Sequence, residues 1–194
     1  MKILHAVMAV TLMNLTLIST TSSNVYAQEM FSPYVDAYGN ISVPPDFDTK
    51  WVFLGTWSIA SEDVEQSSAA SGHGAAALHN IYTQPGTVEK FQNTGEFPDG
   101  TVLIKELLTT ETNQMTTGKV SRGKEIEGWF IMVKDNKNRF PGNKLWGEGW
   151  GWSLFDANKI LTTRDYKAEC LGCHIPARQN DWVYIEGYPT LHKH

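Results

Sequence analysis

The chain has 194 residues, 16 basic and 21 acidic side chains for a net charge of −5, 41% hydrophobic residues and two cysteines. That balance argues against nucleic acid and against anionic lipid as partners, and two cysteines leave no framework of disulfides to staple a small fold. The length suits one domain with a sizeable core, for which seven Trp, seven Tyr and eight Phe are ample material.

The N-terminus reads as a secretory signal: Lys2, an apolar run from Ile3 to Ile18, then small and polar residues up to Val25-Tyr26-Ala27. Cleavage is expected after Ala27. The run is interrupted by Thr11, Asn14 and Thr16 and is short for a span, so a retained anchor is the weaker reading. The mature chain is expected free in the periplasm, without membrane attachment. Residues 28–50, with Pro33, Gly39, Pro44 and Pro45 and no sustained period, read as an extended arm with little structure.

Trp51 to Ile59, aromatic and β-branched, predicts the first strand, and the Ser/Ala/Gly-rich stretch from Ser61 to Gly74 a loop carrying His73. Ala76 to Thr83 predicts a second strand, ended by Gln84-Pro85-Gly86. Thr87 to Thr94 follows as a two-turn helix with Val88 and Phe91 three apart and Gly95 as its stop. After the turn Phe97-Pro98-Asp99-Gly100, the run Thr101 to Leu108 is the clearest strand. Its alternation places Leu103 and Lys105 on one face and Val102, Ile104 and Glu106 on the other, so one charge sits on each otherwise apolar face. The Thr-rich segment Thr109 to Gly123 reads as a loop, Ile126 to Lys134 as a strand, and Trp146 to Phe155 as a strand whose glycines let a backbone or a flat ring come close.

Asp156 to Lys167 contains a loop and the start of a helix that presents Cys170-Leu171-Gly172-Cys173-His174, ending soon after at Pro176. This is the C-x-x-C-H pattern of covalent c-type haem attachment: two thiols add to the vinyl groups, and His174 is the proximal iron ligand. A zinc site would want further Cys or His ligands at similar spacing, and a thioredoxin-like pair a βαβ context; neither is found. One covalent haem c is therefore expected, with an apoprotein less ordered than the holoprotein. Trp182 to Ile185 reads as a last short strand and the tail from Leu191 to His194 as fraying. The expected fold class is α+β: a mainly antiparallel β-sheet with a few short helices and the haem attached near the C-terminus.

The ordered series T-G-E-F-P-D-G-T-V-L-I-K-E (Thr94 to Glu106), G-W-F-I-M-V-K-D (Gly128 to Asp135), R-F-P-G-N (Arg139 to Asn143), C-L-G-C-H and D-W-V-Y-I-E-G-Y-P (Asp181 to Pro189) resembles the cytochrome P-460 family, which includes the cytochromes c′-beta. The resemblance covers most of Trp51 to Leu191. It implies a homodimer with one five-coordinate c-type haem, acting on hydroxylamine by way of nitric oxide or binding nitric oxide reversibly, and passing electrons to a soluble redox partner. It also implies that Lys105, at the position of the family's distinguishing lysine, is joined to the porphyrin in hydroxylamine-oxidising members. The alternative is a lysine paired with a carboxylate or propionate. The resemblance places His79 on the distal side, where it would hydrogen-bond an iron-bound ligand.

Three functions follow as expectations: a hydroxylamine oxidoreductase, a nitric-oxide-binding protein of the c′-beta kind with Phe53, Phe91, Phe97 and Phe130 as possible distal walls, or a plain electron carrier. The carrier needs a sixth ligand. Met115 is the foremost candidate, ahead of Met30, Met132, His73, His79, His192 and His194. Asp165, Glu169 and Glu106 are candidate proton acceptors.

Overall fold

A computed structural model describes residues 31–61 and 74–193. The signal segment and its cleavage point, Met30, His73 and His194 lie outside the described residues, as does most of the predicted 61–74 loop. Among the described residues the architecture is one six-stranded, wholly antiparallel sheet in the order β1-β2-β3-β4-β6-β5. Its strands are β1 (Val52–Ala60), β2 (Ala75–Thr83), β3 (Val102–Met115), β4 (Gly118–Lys134), β5 (Trp146–Gly147) and β6 (Trp150–Asp156). The helices α1 (Phe47–Lys50), α2 (Thr87–Thr94), α3 (Tyr166–Glu169) and α4 (Leu171–His174) are short, followed by 3₁₀ turns at Ile175–Asn180, Ile185–Gly187 and Pro189–Leu191. The expected α+β class is thus the observed one. Among the described residues no helix is long and apolar enough to cross a membrane.

The alternation in β3 divides the core as the sequence anticipates. Leu103 joins Ile81, Met132, Trp150 and Trp152 on one face, where the C-terminal segment packs through Cys170, Trp182, Val183 and Leu191. Val102 and Ile104 join Trp129, Ile131 and Val133 on the other, where the N-terminal arm packs through Ile41 and Phe47. Helix α2 has the predicted bounds; Gly95 closes it at φ 76°, its N–H donating to the Phe91 carbonyl.

Four local expectations are corrected. The Thr109–Gly123 segment is not a loop but a long two-stranded extension of β3 and β4, turned at Met115↔Gly118. Threonine is a good strand former, and here Thr112 Oγ1 and Ser121 Oγ, directly opposite, lie 2.7 Å apart. The predicted Trp146–Phe155 strand is a tight hairpin, because Glu148 (φ 58°) and Gly149 (φ 80°) reverse the chain. Gly151 does admit a ring: a Cβ there would stand 2.7 Å from the Trp146 indole. Trp182 to Ile185 is no strand, since Asp181 (φ 56°) and Trp182 (φ 67°) both adopt left-handed backbone and a 3₁₀ turn follows. The tail does not fray at Leu191, which is 2% exposed; just before it Thr190 Oγ1 donates to the Leu54 carbonyl (3.2 Å) and Gln92 Nε2 to the Thr190 carbonyl (3.0 Å).

Apart from α1 at its end the arm is irregular, but it is anchored. Val35 bridges Ile41, and the Arg139 guanidinium stands 3.9 Å from the Phe31 ring centre. Arg139 also ties two turns together, reaching Asp99 at 2.5 Å and the buried Asp135 at 2.6 Å. Its hydrogen bond to Asp99 holds that carboxyl below the usual carboxylate range. A carboxyl depressed in the folded state stabilises above its unfolded pKa and loses that contribution as pH falls through the folded value. Arg139→Met, which strands the Asp135 carboxylate, is therefore expected to cost on the order of 3 kcal/mol at neutral pH. Its deficit against the parent should narrow below pH ~4, where the unfolded carboxyl protonates. Urea denaturation at pH 7 and pH 3 checks both parts; a deficit equal at the two pH values would refute the linkage.

Candidate functional site

Between the sheet and the C-terminal segment lies a partly open cavity of about 460 Å³. That is within the roughly 300–1,000 Å³ of pockets that bury small ligands and cofactors. The sheet supplies Lys105 and Phe130 from the centre of its face, with His79, Ile81 and Trp57 from β2 and β1; the far wall supplies Cys170, Cys173, His174, Val183 and Tyr184.

The far wall is built by local sequence. Asp165 caps α3, its carboxylate accepting from the Lys167 N–H at 3.0 Å, and the short turns α3 and α4 place Cys170, Cys173 and His174 together on the cavity. Both cysteines are free thiols, Cys170 buried and Cys173 exposed, and burial pushes the Cys170 thiol up to about 11. The His174 ring is held on three sides. Trp152 packs edge-on at 5.0 Å, Tyr184 lies at 6.2 Å, and Nδ1 is 2.7 Å from the Trp182 carbonyl. A carbonyl only accepts, so Nδ1 carries the proton and Nε2 keeps its lone pair for a metal. Burial, reinforced by the Lys105 charge, lowers the His174 pKa, with the Trp182 hydrogen bond opposing; the neutral ring is what ligation requires.

On the sheet face Lys105 is paired with Ile81 on one side and Phe130 on the other, and its Nζ stands 4.2 Å from the Phe130 ring centre. Among the described residues no ion pair engages it. Burial lowers its pKa, and only negative charge on the two cysteine sulfurs would pull it back up. A thioether sulfur carries no charge, so alkylation of the two cysteines would remove that opposing pull. His79 lies one row along, opposite Leu107 and Trp57; burial first and Lys105 second lower its pKa and favour the neutral imidazole.

A family model described as Cytochrome P460 matches residues 46–185. The chain belongs to the cytochrome P460 family. Comparison with curated proteins returns no match. Membership makes this a c-type haem cytochrome, and the residues present fit the group: a mostly apolar cavity of suitable size, two free thiols on its wall and an imidazole with one nitrogen already tied back. Among the described residues no cluster of three or more His, Cys, Asp or Glu converges as a separate ion site.

The structure thus brings Lys105, His79, Cys170, Cys173 and His174 to one cavity in this cytochrome, and separates several other candidates from it. Met115, at the tip of the β3–β4 hairpin, is 56% exposed and lies away from the cavity, because the segment that carries it is a strand extension and not a loop folding back. Met132 does line it, as a core residue. His192 instead contacts the Ile185 carbonyl, 3.2 Å from Nε2. Glu106 is buried on the opposite face, receiving Asn80 Nδ2 at 3.3 Å, as strand alternation requires of the residue beside Lys105. Asp165 is spent on the cap. Glu169 lines the cavity, yet its Oε1 accepts the Arg164 and Asp165 N–H groups at 3.0 and 3.1 Å. Of the four phenylalanines only Phe130 forms a wall; Phe91 packs, tilted, on the core residue Phe97 at 4.5 Å and Phe53 packs on Tyr82.

Sequence reasoning missed Trp182, Trp152 and Tyr184 as supports of His174. The signal for Trp182 was present in Asn180-Asp181, a turn-forming pair that contradicts a strand start.

Proposed function

We propose that this cytochrome P460 is a periplasmic mono-haem protein that oxidises hydroxylamine, by way of nitric oxide, and passes the electrons to a soluble redox partner. The observation that carries the reading is Lys105: an amine without a carboxylate partner among the described residues, its pKa lowered by burial, facing the same cavity as Cys170, Cys173 and His174. A buried cation normally has an anion, and one without it is poised to be neutral and nucleophilic. In the hydroxylamine-oxidising members of the family the lysine at this position is bonded to the porphyrin, and the proposal extends that bond to Lys105.

In this reading Cys170 and Cys173 would fasten the haem by thioethers and His174 Nε2 would hold the iron, the His174 ring being fixed by the Trp182 carbonyl. A haem bound there would supply a redox-active iron for chemistry on a small nitrogen-oxide ligand. On the sheet side of the cavity His79, held neutral by burial, would accept a proton or hydrogen-bond the ligand, while Ile81 and Phe130 would exclude water. The leader ending at Ala27 carries the chain to the periplasm, where the resemblance implies a homodimer. Met115, exposed at the hairpin tip, argues against a six-coordinate electron carrier using that ligand.

Purified holoprotein is expected to reduce an electron-accepting dye when hydroxylamine is added. Denaturing mass spectrometry should find one tryptic species joining haem, the Cys170–Cys173 peptide and the Lys105 peptide. Haem held by the two cysteines alone would sink this version. A second reading draws on the apolar walls Ile59, Ile81 and Phe130, which also suit reversible nitric oxide binding of the c′-beta kind. Ferrous protein that binds nitric oxide without hydroxylamine turnover would select it.

A further inference from the structure

Trp182 holds an unusual backbone for a bulky residue. It follows Asp181 in a second consecutive left-handed conformation, at φ 67° after φ 56°. L-residues with a Cβ avoid this region, and it persists only where surrounding contacts over-determine it. Those contacts centre on Asp181. The Lys134 Nζ, at the end of β4 and only 10% exposed as a side chain, lies 2.8 Å from Asp181 Oδ1. The Trp150 indole N–H donates to the Asp181 carbonyl at 3.0 Å and to its carboxylate at 3.2 Å. Lys134 Nζ is itself seated 4.9 Å from the Trp150 ring centre. Beyond the turn, the Trp182 and Asp181 N–H groups both donate to the Ala177 carbonyl, closing the 3₁₀ turn that follows His174. The product of the arrangement is a single carbonyl, that of Trp182, aimed at His174 Nδ1 from 2.7 Å.

We infer that Lys134 and Trp150 are positioning residues for the proximal histidine: by gripping Asp181 they hold a strained turn that would otherwise relax, and so keep the Trp182 carbonyl on the His174 ring. The inference rests on His174 being the axial ligand. A carbonyl on Nδ1–H makes the imidazole a stronger donor to iron and favours the ferric state. Lys134 sets that strength without touching the haem ligand. The sheet therefore tunes the iron from behind, through a residue on the strand next to the one that carries Lys105.

The test uses holoprotein with Lys134→Met, Asp181→Ala and Asp181→Asn, and Arg139→Met as a control that breaks an ion pair elsewhere. The readouts are the iron–histidine stretching band of the ferrous form and the midpoint potential. Lys134→Met and Asp181→Ala should each lower the frequency and raise the potential, with little added by combining them. Asp181→Asn keeps acceptors for Lys134 and Trp150 and tolerates left-handed backbone, so it should stay near the parent. Arg139→Met should lower melting temperature alone. Unmoved frequency and potential in Lys134→Met, beside a lowered melting temperature, would overturn the inference. Should that variant fail to fold, unmoved frequency and potential in Asp181→Ala would overturn it equally. Absence of any iron–histidine band in the parent would instead overturn the axial-ligand reading.

Discussion

On the proposed bond between Lys105 and the porphyrin, Lys105→Leu is expected to yield a folded holoprotein that keeps its haem on Cys170 and Cys173 but no longer carries the 105 peptide on it. Leucine suits the site, since its neighbours along and across the strand are Leu103, Leu107, Ile81 and Phe130. Two outcomes should move together. The absorption of the cross-linked macrocycle, at longer wavelength than an ordinary c haem, should be replaced by an ordinary spectrum. Hydroxylamine oxidation per haem should fall by about 10²-fold or more, the scale on which positioned reactive groups act. Lys105→Arg separates the two explanations of Lys105. Arginine keeps a cation over the Phe130 ring but presents no neutral amine near pH 7. If the amine must react, Lys105→Arg is as inactive as Lys105→Leu. If oxidation survives in Lys105→Arg, the charge mattered and the covalent role is wrong.

That lysine is legible in the sequence because strand periodicity is a local property. The alternation across Thr101 to Leu108 separates two faces, and the two buried clusters divide Leu103 from Val102 and Ile104 accordingly. The same rule excludes Glu106 as a proton acceptor at the site, since it must face away from Lys105. The β3–β4 extension is hidden for a different reason. Projecting beyond the core it has no buried face, so its threonines show no apolar period even though they pair in register. The proximal supports are less legible still. Asp181 and Trp182 adopt left-handed backbone only because Lys134, some 47 positions earlier, and Trp150, 31 earlier, hold them there. No window of local sequence contains that information.

The double variant Cys170→Ala/Cys173→Ala should show that the haem is structural as well as reactive, and show where. Without thioethers the cavity of about 460 Å³ separates Trp152 and Ile81 from Val183 and Tyr184. At about 24 cal/mol per Å³, a dry void of that size would cost ~11 kcal/mol, an upper bound here because the cavity opens to solvent. Even a fraction of that rivals the roughly 5–15 kcal/mol that holds a domain together. The loss should not be uniform. The cluster around Val102, Ile104, Ile131 and Val133 lies on the opposite face and is closed by the arm, with no wall on the cavity's far side. The C-terminal segment, by contrast, meets the sheet largely around the cavity. Hydrogen exchange of the haem-free variant should therefore show residues 166–191 losing most of their protection while the central amides of β3 and β4 keep theirs. Cys173→Ala alone, retaining one thioether, should hold the haem and fall between. Equal protection of residues 166–191 with and without haem would mean that Leu191 and the Thr190 bond to Leu54 suffice to seat the segment. The haem would then be a guest in a finished fold and not part of its core.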